Sequence, residues 1–243
     1  MRERSVEQGN NTTFLKYKQD DEIYSQSGII TPMVITYYGK QYCKLTLGDL
    51  TIAINPPEKD SKAMPKPPRF GADIALITTR HPDYSGADTV ALGDKEPFVI
   101  DGPGSYEIKG IFITGAKSSV TIDGKEYINT VYGFELDNIK IAVLGALADA
   151  GTLSPEAKEI AGASDMLFIP VGGGDVFDSA KAYKVATSFS PNVIIPLDAD
   201  DTMLKKFLKE GGQEKNEMVD KATLKRKDLD GKENFIIPLI AQA

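Results

Sequence analysis

The stretch Thr79-Arg80-His81-Pro82-Asp83-Tyr84-Ser85-Gly86 carries the sharpest signal in this chain. It follows an apolar run over 73–78 and closes on a glycine, so it reads as a polar turn at the exit of a buried strand. Ligand-binding loops are commonly placed there. His81 and Asp83 stand two residues apart, with Pro82 stiffening the turn between them. The plainer alternative is a strand-to-helix loop whose Asp83 caps the element that follows.

His81 is the only histidine of the 243 residues and Cys43 the only cysteine. A histidine-built two-zinc centre is therefore excluded, as are a Cys-rich zinc site and an intramolecular disulfide. Cys43 lies in Gln-Tyr-Cys-Lys-Leu-Thr-Leu, a strand-like setting that predicts a packed thiol. Hydrophobic residues make up 41% and charged residues 26%, the range of a globular chain with a sizeable core. The net charge of -7 repels phosphate backbones and anionic surfaces, so neither a nucleic acid nor a membrane is expected as a partner. The longest apolar runs, such as 235–240, are too short to span a bilayer, and residues 1–20 lack the apolar core of a signal peptide. A cytoplasmic location is expected.

Working outward from the loop, residues 1–32 are rich in amides and charge and predict a weakly ordered or peripheral arm, with the folded domain covering 33–243. Short alternating runs at 33–38, 42–47 and 51–55 predict strands of an antiparallel sheet, separated by turns at Gly39-Lys40 and Gly48-Asp49. Residues 56–69 form a Pro/Lys-rich loop that no central strand tolerates. Further strands are predicted at 98–100, 106–108, 111–114, 120–122, 127–136 and 139–144. Asp123-Gly124 marks a hairpin. Beyond Gly145 strands alternate with helices. Ser154-Pro155-Glu156 is a helix start, 178–189 and 201–210 have helical spacing, and 166–171 and 192–197 read as buried strands. The tail, 223–226 and 235–240 around Asp230-Gly231, predicts a final hairpin. Gly172-Gly173-Gly174-Asp175 reads as a tight turn, since the Lys-Ser/Thr of a phosphate-binding loop does not follow. In Asp198-Ala199-Asp200-Asp201 one aspartate is expected to cap the next helix.

The ordered set of these stretches resembles the metallo-β-lactamase fold, in particular the zinc-dependent hydrolase branch similar to ascorbate-6-phosphate lactonase. The resemblance rests on Ile35-Thr36-Tyr37-Tyr38-Gly39, residues 50–56 and 72–86, Gly102-Pro103-Gly104-Ser105-Tyr106-Glu107, and residues 129–133, 139–145, 168–173 and 193–197. It implies an αββα four-layer sandwich, two mixed β-sheets flanked by helices, with a metal cleft along the edge between the sheets. The hallmark loop His-x-His-x-Asp-His is matched only by His81 and Asp83, because Thr79 and Tyr84 replace the first and last histidines. The histidine expected after 111–114 is absent from Gly115-Ala116-Lys117-Ser118-Ser119. Ala146 stands where a bridging aspartate is expected, and Asp198 where a further histidine is.

Two functions of different class remain open on this reading. One is a hydrolase-fold protein with a degenerate metal site that lacks two-zinc hydrolysis, holds no cofactor and acts as a binding or scaffolding domain, self-association included. The other is a metal-dependent hydrolase of a lactone, phosphodiester or other ester bond. It would hold one manganese, magnesium or zinc ion weakly on His81, Asp83 and Asp198, with Asp83 orienting the attacking water and Tyr84 stabilising the oxyanion. A third element belongs to the first reading: a Lys117 ammonium turned into the cleft would neutralise Asp83 and Asp198 in place of a cation.

Overall fold

The computed structural model describes residues 5–9, 12–16 and 31–242. The elements are β1 (Ser5–Gly9), β2 (Thr12–Lys16), β3 (Met33–Gly39), β4 (Tyr42–Leu47), β5 (Leu50–Ile54), β6 (Ile74–Leu76), β7 (Phe98–Ile100), β8 (Gly104–Ile108), β9 (Ile111–Ile122), β10 (Lys125–Leu136) and β11 (Ile139–Val143). Then follow α1 (Pro155–Gly162), β12 (Met166–Pro170), α2 (Ser179–Ser188), β13 (Val193–Leu197), α3 (Asp201–Glu210), β14 (Lys221–Leu224) and β15 (Phe235–Ile236). They form a nine-stranded sheet, β1-β2-β8-β9-β10-β11-β12-β13-β15, and a six-stranded sheet, β14-β3-β4-β5-β6-β7. Both sheets mix parallel and antiparallel pairs.

The sheets face each other through one apolar layer. Ile35, Leu45, Ile52 and Leu76 from the smaller sheet pack with Ile113, Phe134, Ile141 and Phe168 from the larger. Burying each such side chain contributes about 1.5–3 kcal/mol, which makes this layer the main source of stability. β12 and β13 are buried along their whole length because the helices cover their other face. Leu204, Phe207 and Leu208 of α3 pack there with Ile169 and Ile194. The predicted helix starts have their physical caps: Ser154 Oγ accepts from the Ala157 N–H at 3.2 Å and Asp200 Oδ1 from the Met203 N–H at 2.7 Å. Over the smaller sheet the outer layer is made by the proline-rich segment and a short 3-10 turn, Ala87–Val90, with Tyr42 and Phe70 stacked at 5.8 Å. The chain thus has the sandwich expected of it.

Some local expectations fail. The runs 111–114 and 120–122 are one strand, β9, whose register with β10 continues from Ile113↔Phe134 to Ile122↔Lys125. Gly115 and Ser118-Ser119 weaken the strand signal in the middle, and pairing with β10 overrides it. The final hairpin does not form. β14 runs antiparallel to β3 in the smaller sheet, while β15 runs parallel to β13 in the larger. Between them the 3-10 turn Arg226–Leu229 buries Leu229 completely, so the tail crosses from one sheet to the other. Of the arm expected over 1–32, β1 and β2 pair with each other, and β2 lies parallel to β8. Residues 1–4, 10–11 and 17–30 lie outside the described residues.

Candidate functional site

Beyond β6 the chain steps from one sheet to the other. Ile77 N–H still donates to the Ile100 carbonyl in the smaller sheet, whereas the Thr78 carbonyl accepts from the Thr130 N–H of β10 at 2.8 Å. Thr79 then forms an antiparallel bridge with Asn129. The His81 loop therefore opens at the edge where the sheets meet. Its turn is closed by Tyr84 N–H donating to the His81 carbonyl at 2.8 Å and by Asp83 N–H donating to His81 Nδ1 at 3.2 Å. Gly86 has to be glycine, because a Cβ there would stand 2.1 Å from the Pro57 carbonyl oxygen. Asp83 caps no helix. The residue at the cap of the Ala87–Val90 turn is Gly86, and Asp83 Oδ1 accepts the Ser61 hydroxyl at 2.6 Å. Ser61 Oγ also accepts from the Met64 N–H at 3.1 Å, which straps the proline-rich segment onto the loop.

Beneath the loop runs a buried polar seam. Asn129, 0% exposed, is its hub. Its Oδ1 accepts the Thr79 hydroxyl at 3.0 Å and the Ala146 N–H at 2.9 Å. Its Nδ2 donates to Ser118 Oγ at 2.7 Å and to the Leu144 carbonyl at 2.8 Å. Thr79 and Ala146 stand where the resemblance leads one to expect a ligand histidine and a bridging aspartate, and one side-chain oxygen serves both. On the other side of Thr79, Asn55 Oδ1 accepts from both the N–H and the hydroxyl of Thr78, at 2.8 and 3.0 Å. Among the described residues, no buried side-chain polar atom of this seam lacks a hydrogen-bond partner. That is the condition for polar groups to be buried without a large penalty.

Tyr84 and Asp198 complete the cleft. Tyr84 is 2% exposed and packs with Val120, Ile122, Ala146 and Val176, so its ring fills the volume beside Ala146. Burial, with the Asp198, Asp83 and Asp175 carboxylates, pushes the Tyr84 phenol far above its ordinary range and keeps it neutral. Asp198 adopts a left-handed backbone conformation (φ 60°), and its N–H donates to Tyr37 Oη at 3.0 Å. Its Oδ2 lies 3.3 Å from the Lys40 ammonium and accepts a longer bond, 3.5 Å, from Gln41 Nε2. Burial raises the Asp198 carboxyl above its ordinary range, Lys40 and Gln41 pull the other way, and Asp83 adds to the rise.

His81, Asp83, Tyr84 and Asp198 are thus brought into one neighbourhood. His81 Nδ1 stands 3.8 Å from Asp83 Oδ2, and the His81 ring meets Tyr84 and Tyr127 at 6.0 and 5.5 Å. Lys117 does not join them: its side chain is exposed on β9. The cation beside Asp198 is Lys40, at the tip of the β3–β4 turn, which sequence reasoning passed over as a turn residue. Asn129, Asn55 and Ser61 were missed as well. Neutral side chains far apart in the chain carry no spacing signal, although 129–133 already stood among the stretches of the resemblance.

The residues do not fit a two-metal centre. A protein zinc site takes three or four nitrogen, sulfur or oxygen ligands. Among the described residues, no three His, Cys, Asp or Glu side chains are grouped so that they could hold a metal ion. One atom of each remaining donor residue is already engaged: His81 Nδ1 by the Asp83 N–H, Asp83 Oδ1 by the Ser61 hydroxyl, and Asp198 Oδ2 by the Lys40 ammonium.

Over residues 34–198 the sequence matches the β-lactamase superfamily domain. No curated protein matches it. Among solved structures, it is similar to a protein from Thermotoga maritima described as a zinc-dependent hydrolase of the metallo-β-lactamase superfamily. The two are 27% identical over 85% of this chain and 98% of that one, with a TM-score of 0.66. A protein from Parabacteroides distasonis described as a metal-dependent hydrolase is 18% identical over 87% of this chain and 94% of that one, with a TM-score of 0.59, and shares the fold. Among the described residues no helix is long and apolar enough to cross a membrane.

Proposed function

The chain belongs to the β-lactamase superfamily, with the metallo-β-lactamase fold, and from that premise we propose that it has given up two-metal hydrolysis and works as a cytoplasmic binding or scaffolding domain. The observation that carries this reading is the Asn129 hub. Thr79 and Ala146, at two substituted ligand positions, share one acceptor, so the floor of the cleft satisfies itself. A metal centre needs donors left free to ligate and a position open to water. The seam offers the reverse, donors and acceptors paired with each other in a closed core.

Metal analysis of protein purified without added metal or chelator tests the reading, together with turnover of bis(p-nitrophenyl) phosphate and a simple lactone in the presence of manganese, magnesium or zinc. The expected result is far less than one equivalent of metal and no metal-stimulated turnover. About one equivalent, lost on His81→Ala, would instead favour a metal-dependent hydrolase with a single ion on His81, Asp83 and Asp198. The 3.8 Å approach of His81 to Asp83 is the feature that speaks for that second reading.

A further inference from the structure

We propose that the Lys40 ammonium is the resident cation of this cleft: it ties the β3–β4 turn of the smaller sheet to the end of β13 in the larger one, in the role a metal ion would otherwise fill. The inference rests on the reading above, that no metal is held there. Lys40 Nζ lies 3.3 Å from Asp198 Oδ2, with the Asp198 side chain 10% exposed and that of Lys40 31%. Asp198 is the one substituted ligand position that still carries a carboxylate, and Asp83 and Asp175 add negative charge around the same Tyr84. Asp175 is exposed, but the Asp198 and Asp83 side chains are only 10% and 17% exposed, and carboxylates so poorly solvated need a compensating cation.

The pair is held in place from the backbone, which separates it from a chance surface contact. One phenol fixes both partners: Tyr37 Oη donates to the Lys40 carbonyl at 2.9 Å and accepts from the Asp198 N–H at 3.0 Å. Both residues sit in the left-handed region, Lys40 at φ 53° and Asp198 at φ 60°, a conformation that surrounding structure must enforce in non-glycine residues. Gly172 of the loop after β12 packs so closely on Asp198 that a Cβ there would stand 2.2 Å from its carbonyl oxygen. Lys40 Nζ also lies 5.8 Å from the centre of the Tyr84 ring, over the side chain that replaces a ligand histidine.

A double-mutant cycle on the full chain tests the proposal, with urea unfolding of Lys40→Met, Asp198→Asn and the double variant, and Lys40→Arg as the charge-keeping control. Lys40→Met strands a buried carboxylate beside Asp83, so its unfolding constant is expected to rise about tenfold. The double variant is expected to recover most of that loss, and Lys40→Arg to stay near the parent. Additive single effects, or a Lys40→Arg loss as large as that of Lys40→Met, would overturn the proposal. Should Lys40→Met fail to fold, a folded double variant upholds the proposal and an unfolded one overturns it. Metal analysis of the same parent preparation keeps the two failures apart. A firmly bound equivalent defeats the proposed function, whereas an additive cycle in metal-free protein defeats this inference alone.

Discussion

Replacing Asn129 by alanine should be among the most damaging single changes in this protein. The side chain makes hydrogen bonds to Thr79, Ala146, Ser118 and Leu144. Ser118 keeps a partner in the Asn129 backbone carbonyl at 3.1 Å, so its loss is partial. The Thr79 hydroxyl, the Ala146 N–H and the Leu144 carbonyl, in residues of 1%, 0% and 0% exposure, lose the partners shown for them at this hub. Each stranded buried group costs about 1–3 kcal/mol, so the three cost roughly 3–9 kcal/mol before relaxation. Water entering the vacated space recovers part of this, and about 3 kcal/mol is expected to remain. In a chain of this size that lowers the Tm by about 6–12 °C. Calorimetry and urea unfolding followed by circular dichroism read the change directly. A Tm within about 2 °C of the parent would refute the view that this seam is a closed, mutually satisfied network. Asn129→Asp separates lost hydrogen bonds from lost volume. It keeps acceptors for Thr79 and Ala146 but turns a charge on the Leu144 carbonyl, and it should be at least as destabilising.

Three other outcomes are expected from the same structure. Gly86→Ala should cost more than about 2 kcal/mol, since the new Cβ meets backbone and not a side chain that can swing away; cleavage in 56–69 under limited proteolysis should rise with it, and a neutral result would show the loop to be loosely held. Burial pushes the Asp73 carboxyl up, but hydrogen bonds from Lys109 and Lys95, with the Thr51 N–H, outweigh it and hold the group below its ordinary range. A depressed folded-state pKa gives stability that is fully present above the unfolded value of about 3.9 and is lost as pH falls through the folded one, so Asp73→Asn should flatten the stability curve below about pH 4; an unchanged acid limb would contradict this. Lys117→Ala should change stability by less than about 0.5 kcal/mol, as for other exposed positions, and a larger loss in urea unfolding would place Lys117 in the cleft after all.

Much of the architecture was legible because it rests on local chemistry. Periodicity placed β3, β4 and the strands to either side of α2, and hydroxyl or carboxylate caps placed α1 and α3. Short-range pattern failed where long-range pairing won, at the middle of β9 and at the tail, where β14 and β15 join different sheets. The same division runs through the site. A solitary histidine already excluded a histidine-built two-zinc centre. That is a property of residue identity, which no folding can alter. Which groups meet around His81, Asp83 and Asp198 was decided only in three dimensions. Lys40 and Asp198 meet at 3.3 Å across 158 positions of chain, and Asn129 reaches Thr79 across 50. Lys117, in the stretch where the resemblance implies a ligand histidine, faces solvent instead. Hydrogen bonds and ion pairs depend on distance in space, and along a chain that crosses between two sheets, distance in sequence does not predict it.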